Sequence, residues 1–253
     1  MNFAAAAPAP RGTILLEEVA VAYRGELALE SISGEFTAGS LTAILGPNGA
    51  GKTSLLAAIA GAVPLASGRL DLDRSARVAY LPQRSQIDLG FPIRVIDVVA
   101  LGLTARIGPW RGLDRPLRAE ARQALAAVGV AGLERNLIGE LSAGQFRRVL
   151  FARALLEQAD IVLLDEPFNA VDARTTADLI GLIGTWQRQG RTVLAVLHQE
   201  DLVRAYFPRA LLLARRVIAW GPTAEVLGAE PQERARRAAA HWEERVPAGA
   251  LAQ

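Results

Sequence analysis

Eight consecutive residues, Gly46-Pro47-Asn48-Gly49-Ala50-Gly51-Lys52-Thr53, carry the most specific chemistry in the chain. They fit, at every fixed position, the pattern Gly, four free residues, then Gly-Lys-Ser/Thr, which marks a phosphate-binding loop between a strand and a helix. The residue types have physical reasons. Glycines let backbone N–H groups turn inward around a phosphate chain with no Cβ in the way. A helix opening near Gly51 aims its unpaired N–H groups and the positive end of its dipole at the same anion. Lys52 can reach the terminal phosphates, the Thr53 hydroxyl can ligate Mg²⁺, and Ser54 follows in the same turn. Lys52 is also the only lysine among the 28 basic residues.

Such a loop needs a carboxylate for its metal ion. Ile161-Val162-Leu163-Leu164-Asp165-Glu166 offers four apolar strand residues and then two acids, at the edge where parallel α/β sheets gather ligands. Asp165 is expected to hold Mg²⁺, directly or through water, and Glu166 to polarise an attacking water as general base. Paired acids before Pro167 also suit the first turn of a helix, so their place relative to the loop decides between the two readings.

The elements that must position these groups follow from the pattern of apolar residues. Thr13–Ser40 reads as an antiparallel β start, broken at Arg24-Gly25 and Ala38-Gly39. Leu41–Leu45 is a buried strand before the loop, and an apolar helix runs from about Gly51 to Ala60. Further strands are expected at Arg69–Asp71, Arg77–Leu81, Ile161–Leu164, Thr192–Leu197, Ala210–Leu213 and Arg216–Trp220. Helices are expected at Leu117–Val128, Ala143–Gln158, Asp172–Gln189 and, as a solvated surface helix, Gln232–Arg245. In the second of these Phe146, Val149, Leu150 and Ala154 share a face; in the third Leu179, Ile180, Ile183 and Trp186 point inward. Alternating helices and buried strands imply an α/β fold: a mostly parallel sheet with flanking helices, an antiparallel β subdomain and a helical insert. The expected domains are a tail over 1–10, one domain over 11–228 with the insert at about 84–140, and a helical tail over 229–253.

Composition narrows the classes. The chain has 253 residues, 51% hydrophobic and 21% charged, which suits a packed core rather than a disordered chain. A formal net charge of +2 gives no electrostatic case for nucleic acid. Cysteine is absent, which excludes disulfides and thiolate metal sites. With only His198 and His241 besides, the chain is not expected to build a typical zinc site of its own. No apolar run approaches the roughly 18–20 residues of a membrane span. The first ten residues lack the features of a signal peptide, so a cytoplasmic location is expected.

Two further signals make the resemblance specific. Leu141-Ser142-Ala143-Gly144-Gln145 opens the helix of Phe146–Gln158, and Gln83 closes the stretch Tyr80-Leu81-Pro82-Gln83 at a strand end. From about Thr13 to Thr223 the chain resembles the ATP-binding subunits of ABC transporters, whose signature is usually LSGGQ. The resemblance implies ATP and Mg²⁺ as cofactors, hydrolysis of ATP, and a P-loop NTPase core of the ABC ATPase type. It implies that Tyr23 stacks on adenine, that Gln83 senses Mg²⁺ and couples to a membrane subunit, that Asp172 is the D-loop aspartate, and that His198 is the switch histidine. Ser142, Ala143, Gly144 and Gln145 would cap the ATP of a second subunit, giving a homodimer with two nucleotides between its halves. Ala143 departs from the usual glycine; it strains the backbone if φ must be positive and helps if the residue is helical, and the helical case is expected.

The stretch from Gln83 through Phe91-Pro92 to Val99, and Asp165 to Asp172, look like zinc- and manganese-type importer ATPases, although iron-siderophore and haem importers share much of both. That likeness implies transmembrane permease subunits, an extracytoplasmic substrate-binding protein and a peripheral place on the cytoplasmic face of the inner membrane. Three other classes stay open at this point: a soluble ABC ATPase acting on another macromolecule, a non-hydrolysing regulatory module, and a small-molecule kinase. The single signature, the intact Glu166 and His198, and the presence of Leu141–Gln145 with Gln83 weigh against them in turn.

Overall fold

The computed structural model describes residues 11–83, 90–108, 113–169 and 171–243, with side chains to residue 240. The expectations that touch 1–10, 84–89, Ala170, the His241 side chain and the residues after 243 lie outside the described residues.

In chain order the elements are β1 (Ile14–Tyr23), β2 (Glu26–Phe36), β3 (Leu41–Leu45), α1 (Lys52–Ile59), β4 (Ser67–Leu72), β5 (Val78–Leu81), α2 (Val95–Ala100), α3 (Thr104–Ile107), α4 (Arg115–Ala127) and α5 (Ala143–Glu157). They continue with β6 (Ile161–Asp165), α6 (Ala173–Arg188), β7 (Thr192–Val196), α7 (Glu200–Tyr206), β8 (Arg209–Ala214), β9 (Arg216–Pro222), α8 (Thr223–Val226) and α9 (Ala229–Glu243). One sheet is antiparallel, in the order β2-β1-β4. The other runs β5-β6-β7-β3-β8-β9, parallel except for β9 against β8. This is the expected architecture. The short helices α2, α3, α7 and α8 went unanticipated as separate elements.

The central strands β3, β6 and β7 are buried end to end and mainly apolar because both of their faces are covered. Side chains alternate across a strand, and the packing follows that rule. Ile161 and Leu163 of β6 join Leu194 and Val196 of β7 against the antiparallel sheet and the Leu55, Leu56 and Ile59 face of α1. Val162, Leu164, Val193 and Ala195 face the opposite way, toward α5 and α6. Helix α1 therefore lies between the two sheets, which fixes the loop that precedes it.

Helices α2 and α4 pack on α5 through Val95, Val98, Val99, Leu117, Leu125, Val149 and Leu150. The start of α4 is set locally: the Asp114 side chain accepts from the Leu117 N–H at 3.1 Å, with Pro116 in the first turn. Helix α5 is more buried than one apolar stripe implies. Phe151, Ala152 and Leu156 are buried as well as Val149, Leu150 and Ala154, while Phe146 is half-buried. The reason is position, since α5 is wedged between the helical insert on one side and the sheet and α6 on the other. Phe151 stacks on Trp186 of α6, ring centroids 5.7 Å apart. Helix α9 is exposed along most of its length, but Ala235 is buried where the helix packs on β8 and β9.

The Trp186 side chain is fully buried, and its indole N–H has no partner among the described residues. Trp186→Ala is expected to cost about 3–5 kcal/mol in urea denaturation, through lost transfer energy and the cavity left behind. Trp186→Phe keeps the stacked ring and removes the unpaired N–H, so it should cost well under half as much.

Candidate nucleotide site

The loop Gly46–Thr53 leaves the C-terminal end of β3 and enters α1. Two of its glycines are obligatory. A Cβ at Gly46 (φ 145°) would lie 2.2 Å from the Leu213 carbonyl oxygen, and one at Gly51 (φ 87°) 2.4 Å from the Ala28 carbonyl oxygen. Ala50 and Ser54 are buried on either side of that turn. The Lys52 side chain folds back over the loop, where its Nζ donates to the carbonyls of Gly46 at 2.8 Å and Pro47 at 2.9 Å. Burial lowers the pKa of this ammonium, with Glu166 and then Asp165 pulling it back up.

Asp165 ends β6 and is fully buried. Neither of its carboxylate oxygens has a hydrogen-bond partner of normal geometry among the described residues. Burial raises its pKa above the ordinary carboxylate value. Glu166 adds to the rise, whereas the nearby Thr53 hydroxyl, the Gln83 backbone and Lys52 oppose it. A buried acid with neither oxygen held by a hydrogen bond of normal geometry among the described residues, facing a threonine hydroxyl at a phosphate loop, has the donor set and the electrostatic deficit that Mg²⁺ fits. The Thr53 and Asp165 assignments thus converge on one spot.

Glu166 follows in a left-handed conformation (φ 49°), with its N–H on the Val196 carbonyl at 3.2 Å. That strained turn redirects its side chain. The Gln83 amide donates to Glu166 Oε2 at 2.6 Å, and His198 Nε2 meets Glu166 Oε1 at 2.7 Å. The chain therefore gathers Lys52, Thr53, Gln83, Asp165, Glu166 and His198, drawn from four separate segments, around one point. Tyr23 lies at the end of β1 with 46% of its surface exposed, on the hairpin whose second strand supplies the Ala28–Leu29 wall behind Gly51.

The residues Ser142, Ala143, Gly144 and Gln145 form the start of α5, and their hydrogen bonds close on one another. Ser142 Oγ accepts from the Gln145 N–H at 3.2 Å, and Gln145 Oε1 accepts from the Ser142 N–H at 2.9 Å. Ala143 is helical, with no positive φ, so the departure from glycine carries no backbone strain. Asp172 caps α6, accepting from the N–H of Thr175 at 2.9 Å and its hydroxyl at 2.7 Å, which hold its carboxyl below the usual range. A Cβ on Gly144 would lie 3.9 Å from Asp172 Oδ2, so these two assignments are neighbours.

Three contributors were missed by sequence reasoning. Arg148 ties α5 to α6, its Nη2 donating to Thr175 Oγ1 at 2.8 Å and Asp178 Oδ2 at 2.9 Å while Nη1 reaches the Val128 carbonyl at 2.7 Å. Arg147 has a buried Nη1 with no partner among the described residues and feels both Asp165 and Glu166. Asn169 makes a long contact of 3.4 Å to Glu166 Oε2. An arginine inside a helix announces none of this, since its reach depends on tertiary packing.

The family model described as "ABC transporter" matches residues 29–169, more than half of the chain. The chain belongs to the ABC transporter family. It is 42% identical over 224 residues to the manganese transport system ATP-binding protein MntB of Bacillus subtilis, covering 85% of this chain and 88% of that one. It is 40% identical over 228 residues to the zinc transport system ATP-binding protein TroB of Treponema pallidum, covering 88% and 86%. Among solved structures, a transporter named as of the metal-chelate type, in an inward-facing conformation, superposes with a TM-score of 0.79 at 26% identity, covering 89% of each chain. An ATP-binding cassette in its ADP conformation superposes with a TM-score of 0.74 at 22% identity, covering 88% and 98%, which supports the fold. As an ABC ATPase the chain binds and hydrolyses ATP. No helix among the described residues is long and apolar enough to cross a membrane.

Two expectations follow from this geometry. Ala143→Gly should change the ATPase rate at saturating ATP by less than about tenfold, because it only removes a helix former at an unstrained position. Asp165→Asn tests the burial argument. A carboxyl whose folded pKa is raised destabilises the fold while ionised, and that loss disappears as pH falls through the raised pKa. In Mg²⁺-free buffer at neutral pH the variant should therefore melt a few degrees above the parent, roughly what 1 kcal/mol gives in a chain of this size. The gap should close on acidification.

Proposed function

We propose that this chain is the ATP-hydrolysing subunit of an importer for a divalent metal, zinc or manganese, acting as a homodimer beneath transmembrane permease subunits. The observation that carries the ATPase site is the buried, weakly satisfied Asp165 beside Thr53 and Lys52, with Glu166 next to it. Asp165 and Thr53 would hold Mg²⁺, directly or through water, with Gln83 beside them. When bound, the ion would neutralise charge on the terminal phosphates. The loop N–H groups and Lys52 cradle the phosphates, and Tyr23 offers its ring to the base.

Glu166 is the general base. It accepts a proton from the water that attacks the terminal phosphorus, while His198 holds and orients its carboxylate. Because Gln83 and His198 occupy its two oxygens, the water needs the amide of Gln83 to give way. Ser142, Ala143, Gly144 and Gln145 would face the nucleotide of the partner subunit, with Asp172 across the same seam. These are roles read from the residues and the family.

The metal substrate rests on the manganese and zinc transport relatives. An extracytoplasmic binding protein is expected to deliver it. A groove of about 650 Å³ between the helical layer and the sheet, lined by Tyr80, Leu81, Pro82, Leu101, Arg153 and Glu157, suits the permease contact. In this reading the chain works at the cytoplasmic face of the inner membrane. A metal-chelate importer is the second reading, favoured by the superposition on a transporter so named.

Glu166→Gln is expected to keep ATP binding, lower turnover by about 10²–10⁴-fold and accumulate an ATP-bound dimer on gel filtration. Turnover at the parental rate would remove Glu166 from its role. Reconstituted with its permease, the parent should raise ATP turnover when the binding protein is loaded with zinc or manganese and not when it is loaded with an iron chelate.

A further inference from the structure

The helical layer carries a second concave site, remote in sequence from the phosphate loop. Arg94, Arg118, Arg122 and Arg135, with Ile96 and Glu134, wall a surface pocket of about 380 Å³. The backbone builds it. Val95 N–H donates to the Asn136 carbonyl at 2.9 Å, Ile96 N–H to the Glu134 carbonyl at 3.2 Å, and Ile138 N–H to the Ile93 carbonyl at 3.1 Å. These bonds clamp the segment carrying Arg135 onto the start of α2, beside Arg94. Helix α4 packs on α2 and adds Arg118 and Arg122, one turn apart on the same face. Ile96 is buried at the floor.

The charges are uncompensated. Among the described residues the side chains of Arg94, Arg122 and Arg135 make no hydrogen bond or ion pair, and that of Arg118 uses only Nε, on the Leu113 carbonyl at 3.1 Å. Glu134, the lone acid of the pocket, accepts from the Gly132 N–H at 3.3 Å and pairs with none of the four. Like charges at i and i+4 work against a helix. A chain with a formal net charge of +2 thus gathers four cations and one anion in a single hollow. Guanidinium groups with free forks are suited to phosphate oxygens.

Exposed apolar groups flank the hollow. Phe91, three residues before Arg94, is 61% exposed, and Leu137, paired with Arg94 across an isolated β-bridge, is 36% exposed. Basic side chains beside an exposed aromatic and a leucine are the chemistry of an acidic membrane surface, where apolar groups enter the boundary and arginines meet headgroup phosphates. We propose that this pocket binds the phosphate headgroup of an acidic phospholipid and holds the helical layer against the membrane. The proposal rests on the reading of the chain as a transporter subunit, because only then does this layer work beside a bilayer.

The test uses the full chain and vesicles of phosphatidylcholine with and without phosphatidylglycerol, in co-sedimentation. The parent should bind only the acidic vesicles, more weakly as salt rises. R118Q/R122Q should bind them about thirtyfold less well, roughly fivefold for each arginine near the surface. R94Q/R135Q, built from the other wall, should do the same, so poor folding of one variant does not decide the matter. R69Q/R216Q, which removes two arginines elsewhere, should stay within twofold of the parent. Equal binding by parent and pocket variants, or no preference for phosphatidylglycerol, would overturn the proposal. So would calorimetric binding of pyrophosphate without vesicle binding, which would make the pocket a site for a soluble anion. ATP turnover of the pocket variants in solution should match the parent. A failed vesicle experiment with metal-stimulated turnover intact then counts against this proposal alone, and the reverse result counts against the transporter reading.

Discussion

A buried carboxylate that its neighbours satisfy only weakly is the constraint around which the rest of this molecule is arranged. Asp165 ends a strand covered on both faces, and among the described residues neither of its oxygens has a hydrogen-bond partner of normal geometry, with only the Thr53 hydroxyl and the Gln83 backbone close by. Such a group persists only when the surrounding structure determines its position more strongly than the group resists burial. Here the sheet supplies that determination. Strands β3, β5, β6 and β7 are parallel neighbours or near neighbours, so their C-terminal ends open at one edge. Out of that edge come the phosphate loop after β3, Gln83 after β5, Asp165 and Glu166 from β6, and His198 after β7. Backbone bonds from Glu166 to Val196 and from Leu197 to Ile44 carry the ladder to the last residue before the chemistry.

The charges at this edge are held in balance rather than at rest. Lys52 is buried on two carbonyls, and Arg147 keeps an unpartnered nitrogen within the field of the two acids. Burial shifts the lysine and arginine down and Asp165 up, so each charged group is less comfortable than it would be in water. In the proposed reading a divalent cation and a polyphosphate would resolve these deficits together, the cation at the acid and the phosphates at the lysine. Binding free energy is then available from groups that the fold itself leaves unsatisfied, which is the sense in which a site is preorganised.

How much of this could be read in the sequence depends on how local each feature is. The phosphate loop was legible because its glycines, lysine and threonine are contiguous and their reasons are steric and electrostatic. Asp165 and Glu166 were legible because four apolar residues announce the strand that carries them. The strands of the central sheet came through for the same reason, as short, mainly apolar runs. Helix α5 was legible only in part: a single stripe was visible, whereas Phe151, Ala152 and Leu156 are buried because three layers meet there. Helix α7, Glu200–Tyr206, was hidden by its mixed composition, with only Val203 buried. The arginine contacts of α5 and the hollow on the helical layer arise from side chains distant in sequence. No periodicity reports them.

One consequence links the groove to the hydrolytic edge. Tyr80, Leu81 and Pro82 line the groove, and the next residue, Gln83, hydrogen-bonds Glu166. A single peptide unit therefore separates a surface suited to a partner from the carboxylate proposed to activate water. On the far side of α5, Arg148 fixes the same helix to Thr175 and Asp178 of α6, so α5 cannot shift without straining the cap that Asp172 provides. A partner pressing on Pro82 and Arg153 bears on the Gln83–Glu166 bond through one residue, and on the α5–α6 seam through a charge-assisted hydrogen bond. Both routes are short and run through fixed groups, which is what coupling needs: an element with two arrangements that each site can bias. In the proposed reading the amide of Gln83 is that element, on Glu166 in one arrangement and released from it in the other.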